Sequence, residues 1–327
     1  MAGLAADGEK RGWSVLDRQA EGGGPEVAQG IRRVGILTNP DKPQGLPLAA
    51  RLVRWLLARG LDALALPEVA MELPAGAQAE PLHQLAATAD ILVVLGGDGT
   101  LLGTARRTAA NSPLLLGVNL GHLGFLTEVE EGELFAALPG IVAGGFEVDE
   151  RMMLTCEVHG PQGLVDRWMA LNDVVLTKGP FARLLQLRLA AGDREVITYP
   201  GDGLIFATPT GSTAYSLSAG GPVLHPQVEG ILVTPICAHT LYARPLLLSA
   251  RERLVLDATA PSGPSRVEVA LTVDAQEGRP LAPGERVVVA MAPHRTRLVR
   301  RTGWNFYEVL RHKLAEDDRL GLERQDG

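Results

Sequence analysis

Five residues, Gly96-Gly97-Asp98-Gly99-Thr100, follow the apolar end of a strand-like run and lead straight into a helix pattern in "LVVLGGDGTLLGTARR" (Leu92–Arg107). Glycine permits positive φ, and Asp and Thr suit helix starts, so a tight turn would explain the composition. A second chemistry fits the same residues: a phosphate-facing loop with one carboxylate, Asp98, set where a reaction needs it. Which of the two applies depends on the elements around the loop.

Three further segments carry side chains out of place in plain scaffold. "ALNDVVLTKG" puts Asn172-Asp173 inside a strand pattern, where two polar residues are costly if buried without partners; an edge or turn position is the simpler alternative. "PGDGLIFATPTGSTAYSLSAGGP" (Pro200–Pro222) is too rich in Gly, Ser and Thr for a core element, yet it sits between apolar runs, as a binding loop on a rigid scaffold would. "VTPICAHTLYARPL" holds His239, which alone reads as a surface histidine. Several common signatures are missing from the sequence. There is no G-x-x-x-x-G-K-[ST] run, and Gly97, Gly99 and Gly103 miss the G-x-G-x-x-G spacing by one residue. G-x-S-x-G, H-E-x-x-H and a zinc-type Cys/His cluster are absent too. What remains is a phosphate or dinucleotide site of another kind, with no metal-ligand motif.

The elements that must position these groups alternate in type over residues 31–145. "VGIL" (Val34–Leu37), "LDALAL", "DILVVL" and "PLLLGVN" read as buried strands, and "TLLGTARRTA" as a helix. Another helix is marked by Leu48, Leu52, Trp55 and Leu56 before a stop at Gly60. Such alternation implies a Rossmann-like parallel sheet with helices on both faces, and ligands bind beyond the carboxyl ends of its strands. "GGDGT" and "GVNLGHLGF" both fall there, which favours the phosphate-facing reading.

Over residues 146–300 strand-like runs follow in close succession, including "MLTCEVHG", "LVDRWMALNDVVL", "LLQLRLAAGDREVIT", "GLIFAT", "RLVLDAT", "RVEVALTVD" and "RVVVAMA". Gly192-Asp193 makes a hairpin turn, and the region reads as an antiparallel, sandwich-like domain. At the end, residues 301–327 hold a helix over "WNFYEVLRHKLAE" with Asn305 and Glu308 as a capping pair. Its Phe306, Val309, Leu310 and Leu314 should return to cover the first domain.

Composition narrows the classes. The chain has 327 residues, 46% of them hydrophobic, which suits about two globular domains. A net charge of −7 argues against a nucleic-acid binder. The one basic run, "HRTRLVRR" (His294–Arg301), reads as a solvated strand edge. Cys156 and Cys237, far apart in apolar contexts, read as buried small hydrophobes. No apolar stretch is long enough to span a membrane, and residues 1–30 read as a poorly ordered tail without a signal-peptide core. A soluble, cytoplasmic protein is expected.

Taken in order, "GGDGT", "GVNLGHLGFLTEV", "LNDVV", "DGLIFATPTGSTAYSLSAGGP" and "TPICAHTLYARPL" resemble the motif set of the NAD kinase family, over about residues 33–312. "GGDGT" alone is shared in kind with diacylglycerol and sphingosine kinases; the "TPTGSTAYSLSAGGP" segment is the specific part. The resemblance implies transfer of the γ-phosphoryl group of ATP, or of polyphosphate in some members, to the adenosine ribose 2′-hydroxyl of NAD. It also implies Mg²⁺ with the ATP and a homo-oligomer, dimer or tetramer. Asp98 then matches the general base or hydroxyl-orienting group. Gly96, Gly97 and Gly99 would let backbone amides approach the triphosphate, with the helix from Thr100 presenting its positive end. Asn172 and Asp173 match a ribose-holding pair, and Asp202 an acid at the nicotinamide end. Thr213, Ala214, Tyr215, Ser216, Leu217 and Ser218 match a segment lining adenine and ribose; Asn119 and Phe125 match positions beside the adenine. His239 is similar to a histidine near the phosphates, while Arg183 and Gln276 correspond only by approximate spacing.

The sequence departs from the family pattern in two places. Asp173 stands where Glu is commoner, one methylene shorter, and Ala275 stands where Gly is usual between Asp and Gln. Two rival readings go with the same residues. A lipid kinase of the diacylglycerol type would want an apolar acceptor pocket and would not need the polar "TGSTAYSLS" loop. A catalytically silent dinucleotide sensor could tolerate Asn or Gly in place of Asp98.

Overall fold

The computed structural model describes residues 30–39, 41–121, 124–179, 184–240, 242–259 and 268–323. Apart from Gly30, the tail expected over residues 1–30 lies outside the described residues, as does Arg183.

Short apolar runs bounded by turn residues build the first half. β1 (Arg33–Thr38) leads to α1 (Gly45–Leu57), β2 (Asp62–Ala65), α2 (Pro67–Ala70), β3 (Gln78–Ala79) and α3 (Leu82–Thr88). β4 (Ile91–Gly96), α4 (Asp98–Thr108), β5 (Leu114–Asn119), β6 (Val129–Glu130) and α5 (Leu134–Val142) follow. β1 pairs in parallel with β2 and β4, and β4 with β5. Every residue of β4 is buried, because helices cover both faces of the sheet. Val93 and Leu95 join the core that holds Leu52 of α1 and Leu138 of α5. Leu92 and Val94 join the one that holds Leu85 of α3 and Leu101 of α4.

The second half is almost all strand. It comprises β7 (Glu147–Gly160), β8 (Gly163–Ala170), β9 (Asp173–Lys178), β10 (Leu185–Ala191), β11 (Arg194–Gly201) and β12 (Gly203–Ala207). α6 (Tyr215–Ser218), β13 (Gly230–Ile236), β14 (Leu246–Ser249), β15 (Arg253–Thr259), β16 (Val269–Val273), β17 (Glu277–Leu281), β18 (Arg286–Arg300) and α7 (Phe306–Glu323) complete it. Six of these strands, in the order β14-β13-β12-β9-β16-β17, form an antiparallel sheet. Val174, Phe206, Val233 and Leu271 on that sheet pack against Leu154, Leu187, Leu256 and Val289 on the other strands.

Those other strands do not form a sheet of their own. The larger sheet runs β11-β10-β15-β18-β5-β4-β1-β2-β3, with β7 and β8 alongside β18. β18 lies parallel to β5 at Arg297–Leu114 and Leu298–Leu115, so the α/β sheet continues into the sandwich without a break. This corrects the reading of "HRTRLVRR" as a solvated edge. The run ends a 15-residue strand between β7 and β5, and Arg300 is buried. "LVDRWMALNDVVL" is likewise two strands, β8 and β9, broken at Leu171-Asn172. Gly192-Asp193 is the two-residue turn of the β10–β11 hairpin. Cys156 is buried, and burial pushes its thiol up to about 12. Cys237 is exposed, contrary to expectation, because its backbone turns away from the core at φ +44° just after β13. At the start of α7, Asn305 accepts a hydrogen bond from the Tyr307 amide (2.8 Å), and the Phe306 and Tyr307 rings pack on His225.

The β16–β17 turn shows the effect of Ala275. Gln276 N–H donates to the Val273 carbonyl (3.0 Å), and both central residues, Asp274 (φ +48°) and Ala275 (φ +54°), have positive φ. A methyl group in this left-handed region costs roughly 1–2 kcal/mol, partly offset by the lower unfolded-state entropy of alanine. Ala275→Gly is therefore expected to stabilise the protein by about 1 kcal/mol, read as a rise of ~2 °C in thermal midpoint.

Candidate active site

α4 begins where β4 ends, and Asp98 is its first residue, an acidic group at the positive end of the helix. Its carboxylate reaches sideways into the loop after β5. Oδ2 accepts the Phe125 amide (2.8 Å); Oδ1 accepts those of Leu126 (3.1 Å) and Thr127 (3.2 Å). Gly124 is required for this approach, since a Cβ there would overlap the carboxylate. A carboxylate has about four lone-pair positions, so one on Oδ2 stays open to a hydroxyl. Asn119, paired with Gly96 across β5 and β4, is buried and donates to the Gly121 carbonyl (2.8 Å), fixing the start of the same loop.

A cleft of about 610 Å³ opens beside the glycine loop, with Gly97, Gly99 and Thr100 on its wall. Lys42 and Arg107 bring positive charge to it, and Lys42 makes no ion pair among the described residues; Arg106, also on the wall, is paired with Asp274 and with Glu277, the one acid of the lining. The Lys42 amine would lie 4.0 Å from a Cβ added at Gly97 and 3.4 Å from one at Gly121. A triphosphate suits such a wall, with bare amides, helix N-termini and cations together.

The dinucleotide motifs gather at the β8–β9 break. Asp274 Oδ1 accepts the amides of Asn172 (2.8 Å) and Asp173 (3.0 Å), and Oδ2 accepts that of Leu171 (3.0 Å). Arg106 Nη1 closes the set at 3.1 Å, and the Asp274 side chain is 0% exposed. Arg106 Nη2 also donates to Gln276 (2.9 Å), whose own amide nitrogen donates to the Gly99 carbonyl (2.7 Å). Asn172-Asp173 and the glycine loop are thus joined through three side chains. Asp173 is only 4% exposed and has no hydrogen bond to its carboxyl group among the described residues. Burial first, and then the Asp274 charge, push it up to about 7.

The 208–218 segment lies over this break. Thr208 donates its hydroxyl to the Leu171 carbonyl (2.6 Å) and its amide to that of Asn172 (2.8 Å), while a Cβ on Gly211 would overlap the Asn172 backbone. Thr213 and Ala214 are half-buried beside Tyr215, which is 44% exposed; Leu217 and Ser218 are exposed as well. Ser216 points inward instead, bonded to the Thr234 hydroxyl (2.8 Å), and so anchors the turn to β13. Asp202, between β11 and β12, pairs with Lys178 at 2.9 Å. His239 is exposed, its amide bonded to the Pro200 carbonyl (2.8 Å), and among the described residues no hydrogen bond or ion pair joins it to the glycine loop. The sequence reading missed Lys42, Arg106, Arg107 and Asp274. The pair Arg106-Arg107, two cations in the last turn of α4, is the one local signal among them.

Fold and site together define a nucleotide-dependent phosphotransferase with an α/β sheet running into a β-sandwich. Residues 34–146 match the ATP-NAD kinase N-terminal domain, and residues 171–301 the ATP-NAD kinase C-terminal domain. The chain belongs to the ATP-NAD kinase family. It is 43% identical over 290 residues to the NAD kinase of Heliobacterium modesticaldum, covering 86% of this chain and 98% of that one. The NAD kinase of Moorella thermoacetica is 42% identical over 296 residues, with 90% and 92% covered. Among solved structures, yeast NADH kinase complexed with NADH superposes with a TM-score of 0.75 at 28% identity, over 84% of each chain.

Asp173 generates a pH prediction. In the native protein it stays protonated up to about 7, whereas its ordinary value is 3.8. Its contribution to stability is complete below the ordinary value and is lost as pH rises toward the native one. Urea midpoints of the wild type should therefore fall between about pH 4 and pH 7 more steeply than those of Asp173→Asn. Parallel curves for the two proteins would contradict the assignment.

Proposed function

We propose that this chain transfers the γ-phosphoryl group of ATP to the 2′-hydroxyl of the adenosine ribose of NAD, giving NADP and ADP. The observation that carries this reading is the one open lone pair on Asp98 Oδ2, at a glycine loop that also walls a cationic cleft. The ribose 2′-oxygen attacks the γ-phosphorus, the bond from that phosphorus to the β,γ-bridging oxygen breaks, and ADP leaves. The hydroxyl proton passes to Asp98 Oδ2. General-base help of this kind contributes typically ~10²–10⁴-fold, and the remaining acceleration comes from positioning and charge neutralisation.

The other residues take roles around that transfer. Lys42 and Arg107 face the donor phosphates across the cleft, with the amides of Gly97 and Gly99, while Arg106 braces the wall through Asp274, Gln276 and Glu277. Asn172 and Asp173 hold a ribose through hydroxyl hydrogen bonds; Thr213, Ala214, Tyr215 and Ser218 line the adenine side. Phe125 and Asn119 border it, and Asp202 lies at the nicotinamide end. Gln276 acts on Gly99 rather than on the dinucleotide. Ser216 holds its turn in place, and the exposed Leu217 adds apolar surface beside Tyr215. His239 is assigned to the phosphates by family likeness alone.

A divalent cation, Mg²⁺, would accompany ATP and neutralise its phosphate charge. Among the described residues no three His, Cys, Asp or Glu side chains cluster into a cage. An ion held mostly by phosphate oxygens and water suits this wall, where Glu277 is the carboxylate that lines the cleft. A cytoplasmic homo-oligomer completes the reading. No described helix is long and apolar enough to cross a membrane, and the exposed Tyr242 and Leu247 beside edge strand β14 offer apolar surface to a second copy. The polar 208–218 segment over Asn172 supports a dinucleotide acceptor in preference to a lipid.

Asp98→Asn keeps the two amide bonds at one oxygen and removes the base. NADP formation, coupled to an NADP-specific dehydrogenase with ATP or polyphosphate as donor, should fall on the order of 10²–10⁴-fold. Calorimetric NAD affinity should stay within a few-fold of wild type. A variant with near-normal kcat would remove Asp98 from the base role.

A further inference from the structure

The Asp98 carboxylate is only as well placed as the loop that grips it, and that loop has a second hold on its far side. Arg300, the last residue of β18, is 1% exposed. Its Nη1 donates to the Leu126 carbonyl (3.1 Å) and to Glu128 Oε2 (3.1 Å), and its Nη2 to the Phe125 carbonyl (3.4 Å). Nε donates to Asp149 Oδ2 (3.1 Å), and the Trp304 ring covers the guanidinium at 4.4 Å. The Phe125 carbonyl and the Leu126 amide belong to one peptide group, and the Leu126 carbonyl and the Thr127 amide to the next. Each of these two peptide groups is therefore held by Arg300 at its oxygen and by Asp98 Oδ1 at its N–H.

We infer that Arg300 is a positioning residue for phosphoryl transfer, acting on Asp98 through the Phe125–Leu126 and Leu126–Thr127 peptide groups. The inference rests on the base role of Asp98 proposed above. Three features of the geometry support it. A cation at the carbonyl end polarises each peptide group, strengthening the N–H that faces the carboxylate. The planar guanidinium alone reaches two carbonyls and two carboxylates at once, a task its rigid fork suits and an ammonium does not. Its far ends are fixed in turn: Glu128 also accepts the Arg301 amide (3.0 Å), and Asp149 is bound by Arg151 Nε (2.8 Å). Burial works against ionisation of Asp149, but Arg151 and Arg300 outweigh it and hold the carboxyl below its usual range. The cluster is thus a charged, immobile backing for the loop.

A purely structural Arg300 would be needed only as a buried positive charge opposite Glu128 and Asp149. Arg300→Lys separates the two roles, because lysine keeps the charge and loses the fork. With NAD and Mg·ATP, kcat of Arg300→Lys should fall on the order of 10²-fold, the scale of an ångström-sized misplacement at a reacting group. KM for ATP should stay within about threefold, since the residues that wall the cleft do not include the Phe125–Thr127 loop. Trp304→Leu, which unclamps the guanidinium but leaves every hydrogen bond, should lower kcat by about tenfold with the same unchanged KM, and it decides the matter if the lysine variant does not fold. A near-wild-type kcat in a folded variant, or a loss that appears in KM for ATP, overturns the role of Arg300. Failure of the wild type itself to form NADP would instead overturn the function proposed for the chain.

Discussion

One buried carboxylate fixes the geometry on which the site depends. Asp274 accepts three successive backbone amides, Leu171, Asn172 and Asp173, and one guanidinium, Arg106. A charge so far from water is tolerated only when every lone pair is matched, and removing a partner from such a set is strongly destabilising. That makes the set stiff. It holds the β8–β9 break open in one conformation, which neither strand pairing nor apolar packing specifies. It reaches the break from more than 100 residues further along the chain, and through Arg106 it ties the break to α4 and so to the glycine loop. The left-handed backbone at Asp274 and Ala275 is what aims the carboxylate back at β9.

Counting lone pairs sorts three acids of the site, Asp274, Asp98 and Asp173. Asp274 has all four positions occupied by protein donors and is scaffold. Asp98 has three occupied and one open, which suits a group that must be rigid yet still meet a hydroxyl. Asp173 has no protein donor among the described residues and keeps a proton near neutral pH, as a group does whose partners come with a ligand. The proximity of Asp274 is part of the reason for that proton. The same charge therefore orders the backbone of Asp173 and tunes its side chain.

Much of this was legible in the sequence where local pattern decides the outcome. β1, β4, β5, α1 and α4 follow from apolar period and flanking turn residues, and Gly192-Asp193 marks its own hairpin. The glycine loop, Asn172-Asp173 and the 208–218 segment stand out because polar residues interrupt apolar runs. Long-range pairing left no such mark. The charged end of β18 looks like solvent-facing strand until Glu128 and Asp149 are brought to it by β6 and β7. Asp274 looks like a turn residue until three amides from 100 residues upstream arrive. The continuity of the two halves rests on two residue pairs between β18 and β5, too few to leave any signal in either strand. Short elements such as β3, β6 and α2 are set by their neighbours rather than by their own composition.

With Asp98 as the proposed base, its one open lone pair on Oδ2 serves one hydroxyl at a time, and the proposed acceptor is the 2′-hydroxyl of the adenosine ribose. The direct test of that claim is the position of the new phosphate, read by ³¹P–¹H correlation on product made from NAD, ATP and Mg²⁺. The phosphorus should couple to the 2′ proton of the adenosine ribose, with no 3′ or nicotinamide-ribose isomer detectable. A mixture of isomers, or phosphate on the nicotinamide ribose, would contradict the placement of the dinucleotide and with it the account of the site.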